Sequence, residues 1–429
     1  MQNTKTNCLN RINILKTLAY HQWRVEEKVL LRIYRTLIRS RLDYGSILYI
    51  SASDTDLKSL NTIHNTSLRF SLGAFKSSPS ESLYIESSEP PLFIRGQRLL
   101  LSYFSRISAN PKNPVIKLIK TPHPVSDNSH PRVHSLSQIL RTLLKDTDLK
   151  LTTPFTTSRI LPWTKKLPTV LTSLNPYKKE ETPRTLLVQA FGELIQTQRY
   201  EKILYTDALK EEQVVGCVIS TSNTTVVSYQ LSPRCSIHTA ELYGILKALD
   251  SPIANEKSLA ICTNSLSAID SIRNIYSINP IVQCIHSICQ QQSKNGVSVT
   301  IIWIPSHVGI IGNENADHAA KLACSLENME NIQLHQDLKS SIKNNVLSTW
   351  QTYWNVQNTK LRTIQLTVTS ITMPQMSRKD NNIIRRLRIG HTRLTHGYLM
   401  SSENHPRCEH CNESLTVQHI LLECVHYKP

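Results

Sequence analysis

The 429-residue chain is short of several things, and each shortage excludes a class of protein. Glycine occurs 11 times and aromatic residues make up 6% of the sequence, so neither a glycine-rich flexible repeat nor an aromatic-rich binding surface fits. No apolar run reaches the roughly 20 residues that span a bilayer, and Met1-Gln2-Asn3-Thr4-Lys5 lacks the apolar core of a signal peptide. These absences point to an intracellular protein without a membrane partner. Acidic residues are outnumbered, 32 against 49 lysines and arginines, for a net charge of +17. Seven of the ten cysteines, from Cys8 to Cys324, are scattered without pattern, which fits reduced thiols rather than a disulfide framework.

The chain is too long for one ordinary core, and 40% apolar residues suffice for globular structure. Charge is unevenly distributed. Residues 201–327 hold 8 basic and 11 acidic side chains, leaving the flanks with 41 basic against 21 acidic, or +20. An excess of that size in the flanks suits contact with the phosphates of nucleic acid. A merely solubilising surface would look similar in composition.

Residues 1–107 read as helical. Leu15, Leu18, Trp23, Leu30, Ile33, Tyr34, Leu37 and Ile38 recur near a helical period, among several arginines. Residues 108–196 are rich in Pro, Ser, Thr and Lys, with Pro111, Pro114, Pro122, Pro124 and Pro131 close together, and read as a linker that ends in a helix near Leu186 to Thr197. From Lys202 the period switches. Strands are expected at Ile203–Asp207, Val214–Ile219, Thr225–Tyr229, Ser258–Cys262 and Val297–Ile304, with helices at His238–Leu249, Ser265–Ile275 and Asn313–Leu322. Three meandering strands followed by alternating helices and strands make an α/β fold, a mixed five-stranded sheet with flanking helices over residues 197–327. Residues 328–429 form a helical, basic tail.

Within 197–327, side chains able to bind metal or move protons stand at the ends of elements: Asp207 closes a strand, Glu241 lies in a first helical turn, Asn264 follows a strand, His307 lies on a loop and Asp317 on a helix. Two-metal phosphodiester hydrolysis needs carboxylates that converge on ions roughly 3.5–4 Å apart, and oxygen ligands of this kind favour Mg²⁺. Singly, each residue has an ordinary reading, Asp207 as a turn former and Glu241 as a partner of the helix dipole. Together, on this succession of strands and helices, they resemble the metal site of a type 1 ribonuclease H domain. The most specific stretch is Trp303-Ile304-Pro305-Ser306-His307-Val308-Gly309 through Gly312-Asn313-Glu314-Asn315-Ala316-Asp317.

The resemblance implies that Asp207, Glu241 and Asp317 bind Mg²⁺ or Mn²⁺, that His307 moves protons or assists product release, and that the RNA strand of an RNA–DNA hybrid is cleaved. Asn264 departs from the pattern. It stands where the family has a third carboxylate, and it offers a neutral amide, which binds a hard cation more weakly and leaves its charge less compensated. Asp270 lies too far into the next helix to replace it. Two functions therefore stand at this stage: a hybrid-cleaving hydrolase, or a silent remnant that binds nucleic acid without cutting it.

The flanks add a second resemblance. Leu31-Arg32-Ile33-Tyr34-Arg35 through Asp43-Tyr44-Gly45, and Leu387-Arg388-Ile389-Gly390-His391-Thr392-Arg393, are similar to the thumb and C-terminal regions of jockey-type non-LTR retrotransposon reverse transcriptases. That likeness implies a retrotransposon polyprotein and a nuclear location. No Tyr-Ala-Asp-Asp-like site is present, so polymerase activity is not expected. The tail closes with Cys408-x2-Cys411-x7-His419-x4-Cys424, a Cys₃His set suited to tetrahedral Zn²⁺. Arg385, Arg386 and Arg388 precede it and are expected to grip nucleic acid through its phosphates.

Overall fold

The computed structural model describes residues 2–427 apart from 21–24, 111, 117–134, 148–160, 178–180, 213, 252–255, 327–328, 331, 333, 370–372 and 402. Trp23, Pro111, Pro122, Pro124 and Pro131 lie outside the described residues. The chain divides into two units, one made of Ser105–Asn113 and Lys150–Ser341, the other of Met1–Phe104, Pro114–Leu149 and Ile342–Pro429. Most of the tail thus shares a unit with the N-terminal helices.

The sheet unit contains β1 (Thr169–Leu171), β2 (Lys202–Glu211), β3 (Val214–Ser220), β4 (Thr225–Leu231), β5 (Ser258–Thr263), β6 (Ser298–Trp303) and β7 (Met329–Glu330). Their order is β1-β6-β5-β2-β3-β4-β7. The β2–β3 and β3–β4 pairs are antiparallel, and the β2–β5 and β5–β6 pairs parallel. All five expected strands are present. The sheet is extended at each edge by a short parallel strand, β1 beside β6 and β7 beside β4. β1 falls in the stretch read as linker, so that stretch contributes to the sheet.

Both faces of the central strands are covered, which explains their nearly continuous apolar sequences. Leu204, Ile261 and Ile301 point to one side, into a core shared with helices Ile237–Leu249, Leu266–Arg273 and Pro280–Lys294. Tyr205, Cys262 and Ile302 point to the other, against Leu187 and Phe191 of helix Arg184–Gln198 and Ala316 of helix Ile311–Ala323. The alternation is the two-residue period of a strand read at two neighbouring layers.

Two glycines set how closely the helices approach. A Cβ on Gly216 would stand 2.6 Å from the Ala320 carbonyl oxygen, so helix Ile311–Ala323, buried through its alanines, lies directly on β3. Gly244 faces Thr206 of β2, with a Cβ position 3.6 Å from the threonine Cβ. Glu241, one turn nearer the helix start, is thereby held near Asp207 in the middle of that strand.

The other unit is helical among its described residues. Helix Asp54–Leu72 begins at Ser53, whose hydroxyl accepts from the Asp56 amide, and ends at Gly73 in the left-handed conformation. Helix Glu27–Ile33 continues through a π-helical turn, Tyr34–Arg39. Helix Arg378–Ile389 ends at Gly390 and carries the basic run of the tail.

Candidate active site and metal centre

Sheet register brings Asp207 and Asn264 together. Thr206 pairs with Thr263 across the parallel β2–β5 ladder, so the next residue of each strand emerges beside its neighbour. The Asn264 side-chain amide donates to Asp207 Oδ1 at 3.2 Å, and the Ala208 amide donates to the same oxygen at 2.8 Å. The backbone carbonyl of Asn264 accepts from Trp303 Nε1 at 3.1 Å, which fixes the strand end itself.

Asp207 and Glu241 are each 6% exposed. Burial pushes the Asp207 carboxyl up to about 6, against the pull of the Ala208 and Asn264 hydrogen bonds; the Asp317 charge raises it further and His307 lowers it. Glu241 is raised well above the carboxylate range, first by burial and then by Asp207. Glu241 Oε2 has no hydrogen-bond partner among the described residues. Two buried carboxyl groups, one with an orphaned oxygen, make an incomplete electrostatic arrangement that a hard divalent cation would complete. Asp207 and Glu241 thus offer oxygen ligands of the kind such an ion takes, although with Asp317 they do not form a compact three-ligand cluster in this structure.

Asp317, partly buried on helix Ile311–Ala323, pairs with Lys321 one turn later, 2.9 Å from Oδ2 to Nζ. His307 is exposed on the loop after β6, with φ at +56°. That loop is tied down where the Gly309 amide donates to Glu314 Oε1 at 3.1 Å. Lys321 and Glu314 were not assigned roles from sequence. The i,i+4 spacing of Asp317 and Lys321, and an acid in a first helical turn, were the available signals. Asp270 points away, 71% exposed and 3.9 Å from Arg273.

The tail brings its four expected ligands together. Cys408, Cys411, His419 and Cys424 place their ligand atoms within 4.8 Å of one another, the one such group of three or more His, Cys, Asp or Glu among the described residues. Cys408 and Cys411 flank a tight turn, closed by the Cys408 amide to the Glu413 carbonyl at 2.8 Å and the Asn412 amide to the Cys408 carbonyl at 2.9 Å. Both lie 3.7 Å, sulfur to sulfur, from Cys424. His419 turns Nδ1 toward Glu423, 3.8 Å away, while buried Nε2 has no partner among the described residues. A carboxylate behind one ring nitrogen and a free second nitrogen is how a zinc-binding histidine is oriented. These residues fit Zn²⁺.

Arg385 and Arg388 are placed otherwise than expected. Arg385 pairs with Glu27 at 2.8 Å and with Glu86, and Arg388 Nε lies 2.8 Å from Glu86 Oε1. Burial alone would lower the Arg385 guanidinium, but Glu27 and Glu86 hold it above its ordinary value. These groups are committed to carboxylates inside the protein, which leaves Arg385 unsuited to a phosphate. Arg386 instead donates from Nε to the Gly73 carbonyl at 2.8 Å and stacks over Phe75.

A mixed sheet of this strand order with flanking helices, carrying Asp207 within β2 and Glu241 on the helix packed against it, fits an RNase H-like fold. Residues 199–325 match the RNase H family, so the chain contains an RNase H domain. No curated protein matches the chain. No helix among the described residues is long and apolar enough to cross a membrane.

Proposed function

We propose that the RNase H domain binds RNA–DNA hybrids and hydrolyses the RNA strand in a metal-dependent reaction whose turnover is held low by Asn264. The observation that carries this reading is the hydrogen bond from the Asn264 amide to Asp207 Oδ1. Asp207, Glu241 and Asp317 are the side chains that would hold Mg²⁺ or Mn²⁺. The bound ion would activate water and offset the charge of the scissile phosphate. A family carboxylate at residue 264 would add negative charge to this set. Asn264 brings none, and its N–H occupies an Asp207 oxygen that a cation would use. His307, exposed beside the acidic set, is assigned proton movement at the scissile phosphate.

The second reading, a binding domain without turnover, draws on the same hydrogen bond. The match to the RNase H family supports nucleic acid as the partner in either case. Binding is tested by titrating the full chain with a labelled RNA–DNA hybrid and the matching DNA duplex. Tighter binding of the hybrid is expected. Equal affinity for both duplexes contradicts the proposal.

We further infer that Cys408, Cys411, His419 and Cys424 hold a structural Zn²⁺, supported by their convergence and by the orphaned Nε2 of His419. Metal analysis of the purified chain should find one zinc, lost in Cys411→Ser. Zinc-free protein with an intact tail fold refutes it. The similarity of the flanking segments supports descent from a jockey-type non-LTR retrotransposon, and that descent would place the protein in the nucleus. Fluorescence imaging of the tagged chain checks the location, with exclusion from the nucleus counting against it.

A further inference from the structure

The helical unit contains a cleft of about 950 Å³ between the end of helix Gln2–Leu18, the end of helix Asp54–Leu72 and the start of helix Arg378–Ile389. Among the described residues, five cations line it, Lys16, Arg69, Arg378, Lys379 and Arg386, against one acid, Glu26.

The three arginines are held in place by backbone carbonyls. Arg378 donates to the carbonyls of Ser71 at 2.6 Å and Phe70 at 3.0 Å, Arg386 to that of Gly73 at 2.8 Å, and Arg69 to that of Ser78 at 3.0 Å. The Arg378 and Arg386 bonds cap the end of helix Asp54–Leu72, and all of them preorganise the guanidinium groups yet supply no counter-charge. The Nε atoms of Arg69 and Arg378 are buried without a hydrogen-bond partner among the described residues. All three guanidinium groups are shifted below their ordinary value, with burial the largest cause. The contrast with Arg385 is direct, since its carboxylate partners hold it above that value. The start of helix Arg378–Ile389 also faces this cleft through Ser377, Arg378 and Lys379, adding the positive end of a helix dipole. Asp380, in the same first turn, is occupied by the Ser377 hydroxyl at 2.6 Å.

We propose that this cleft binds the phosphodiester backbone of single-stranded RNA or DNA. Partly buried cations with donors to spare call for an anion. Their spread over three helix ends, in a cleft larger than one phosphate requires, suits consecutive phosphates. The site belongs to the helical unit and does not depend on the activity of the RNase H domain.

The test uses the full chain and a fluorescent single-stranded oligonucleotide, with affinity measured across a salt series. Lys16→Ala with Lys379→Ala removes two exposed lysines and leaves the carbonyl-bound arginines alone. The slope of log affinity against log salt should flatten by about 1.4, near 0.7 for each lost phosphate contact, while hybrid affinity in the RNase H domain stays unchanged. In the unmodified chain, bound oligonucleotide should also protect Lys16 and Lys379 from amine acylation, a readout independent of any variant's folding. An unchanged slope, or unprotected lysines, overturns the proposal. Displacement of the oligonucleotide by an equal concentration of inorganic phosphate or a nucleoside monophosphate also overturns it, by assigning the cleft to a small phosphate ligand.

Discussion

Asn264 and Asp207 meet because β5 ends beside the middle of β2, with Thr263 in register with Thr206, and what they exchange is a neutral N–H rather than a shared metal charge. His64 illustrates buried polar chemistry with a different consequence. It lies between Tyr34 and Tyr84, its Nδ1 2.5 Å from the Tyr34 hydroxyl, and burial, reinforced by Arg95 and Arg39, pushes its imidazole down to about 3. The unfolded imidazole takes up a proton near pH 6.5, whereas the folded one does so only near 3. The unfolded state therefore binds more protons across that window, and stability falls on acidification. Between pH 6.5 and 4 this site should cost on the order of 3 kcal/mol. Denaturant titrations of wild type and His64→Gln at the two pH values check this, and an identical pH dependence in both refutes it. At this scale the sequence was informative where chemistry is local. Asn264 could be read as an amide at a carboxylate position, but the atom it faces could not, since that depends on strand register. The partners of Arg385, Glu27 and Glu86, lie about 300 or more residues away, beyond any local pattern.

Among the elements, those with a strong period and a chemical boundary were legible. Strands β2 to β6 carry alternating or buried apolar runs, and helix Ile237–Leu249 starts at Ser236, whose hydroxyl accepts from the Thr239 amide. Helix Pro280–Lys294 is absent from the expected elements, although Asn279 caps it and Pro280 opens it, a sound start signal. β1 and β7, of three and two residues, have too little sequence to announce themselves and exist through pairing with β6 and β4. The contact between β3 and helix Ile311–Ala323 yields a prediction at this level. Gly216→Ala would drive a methyl group into the Ala320 carbonyl and displace the helix that bears Asp317. Such overpacking should destabilise the sheet unit by about 1–3 kcal/mol. An unchanged denaturation midpoint would contradict the close approach.

For the whole molecule, sequence order and structural grouping diverge. The N-terminal helices and the tail share one unit, joined by ion pairs among Glu27, Glu86, Arg385 and Arg388, while the RNase H domain lies in the other. The excess of positive charge in the flanks is partly spent on these internal pairs, and part of the remainder lines the cleft at Lys16, Arg378 and Lys379. The central claim concerns what the full chain does to an RNA–DNA hybrid. The direct measurement is cleavage of a labelled hybrid with Mg²⁺ or Mn²⁺ by wild type, Asn264→Asp and Asp207→Asn. The account predicts slow cleavage or none by wild type, faster cleavage by Asn264→Asp and none by Asp207→Asn. Robust wild-type cleavage that Asn264→Asp does not increase would contradict it.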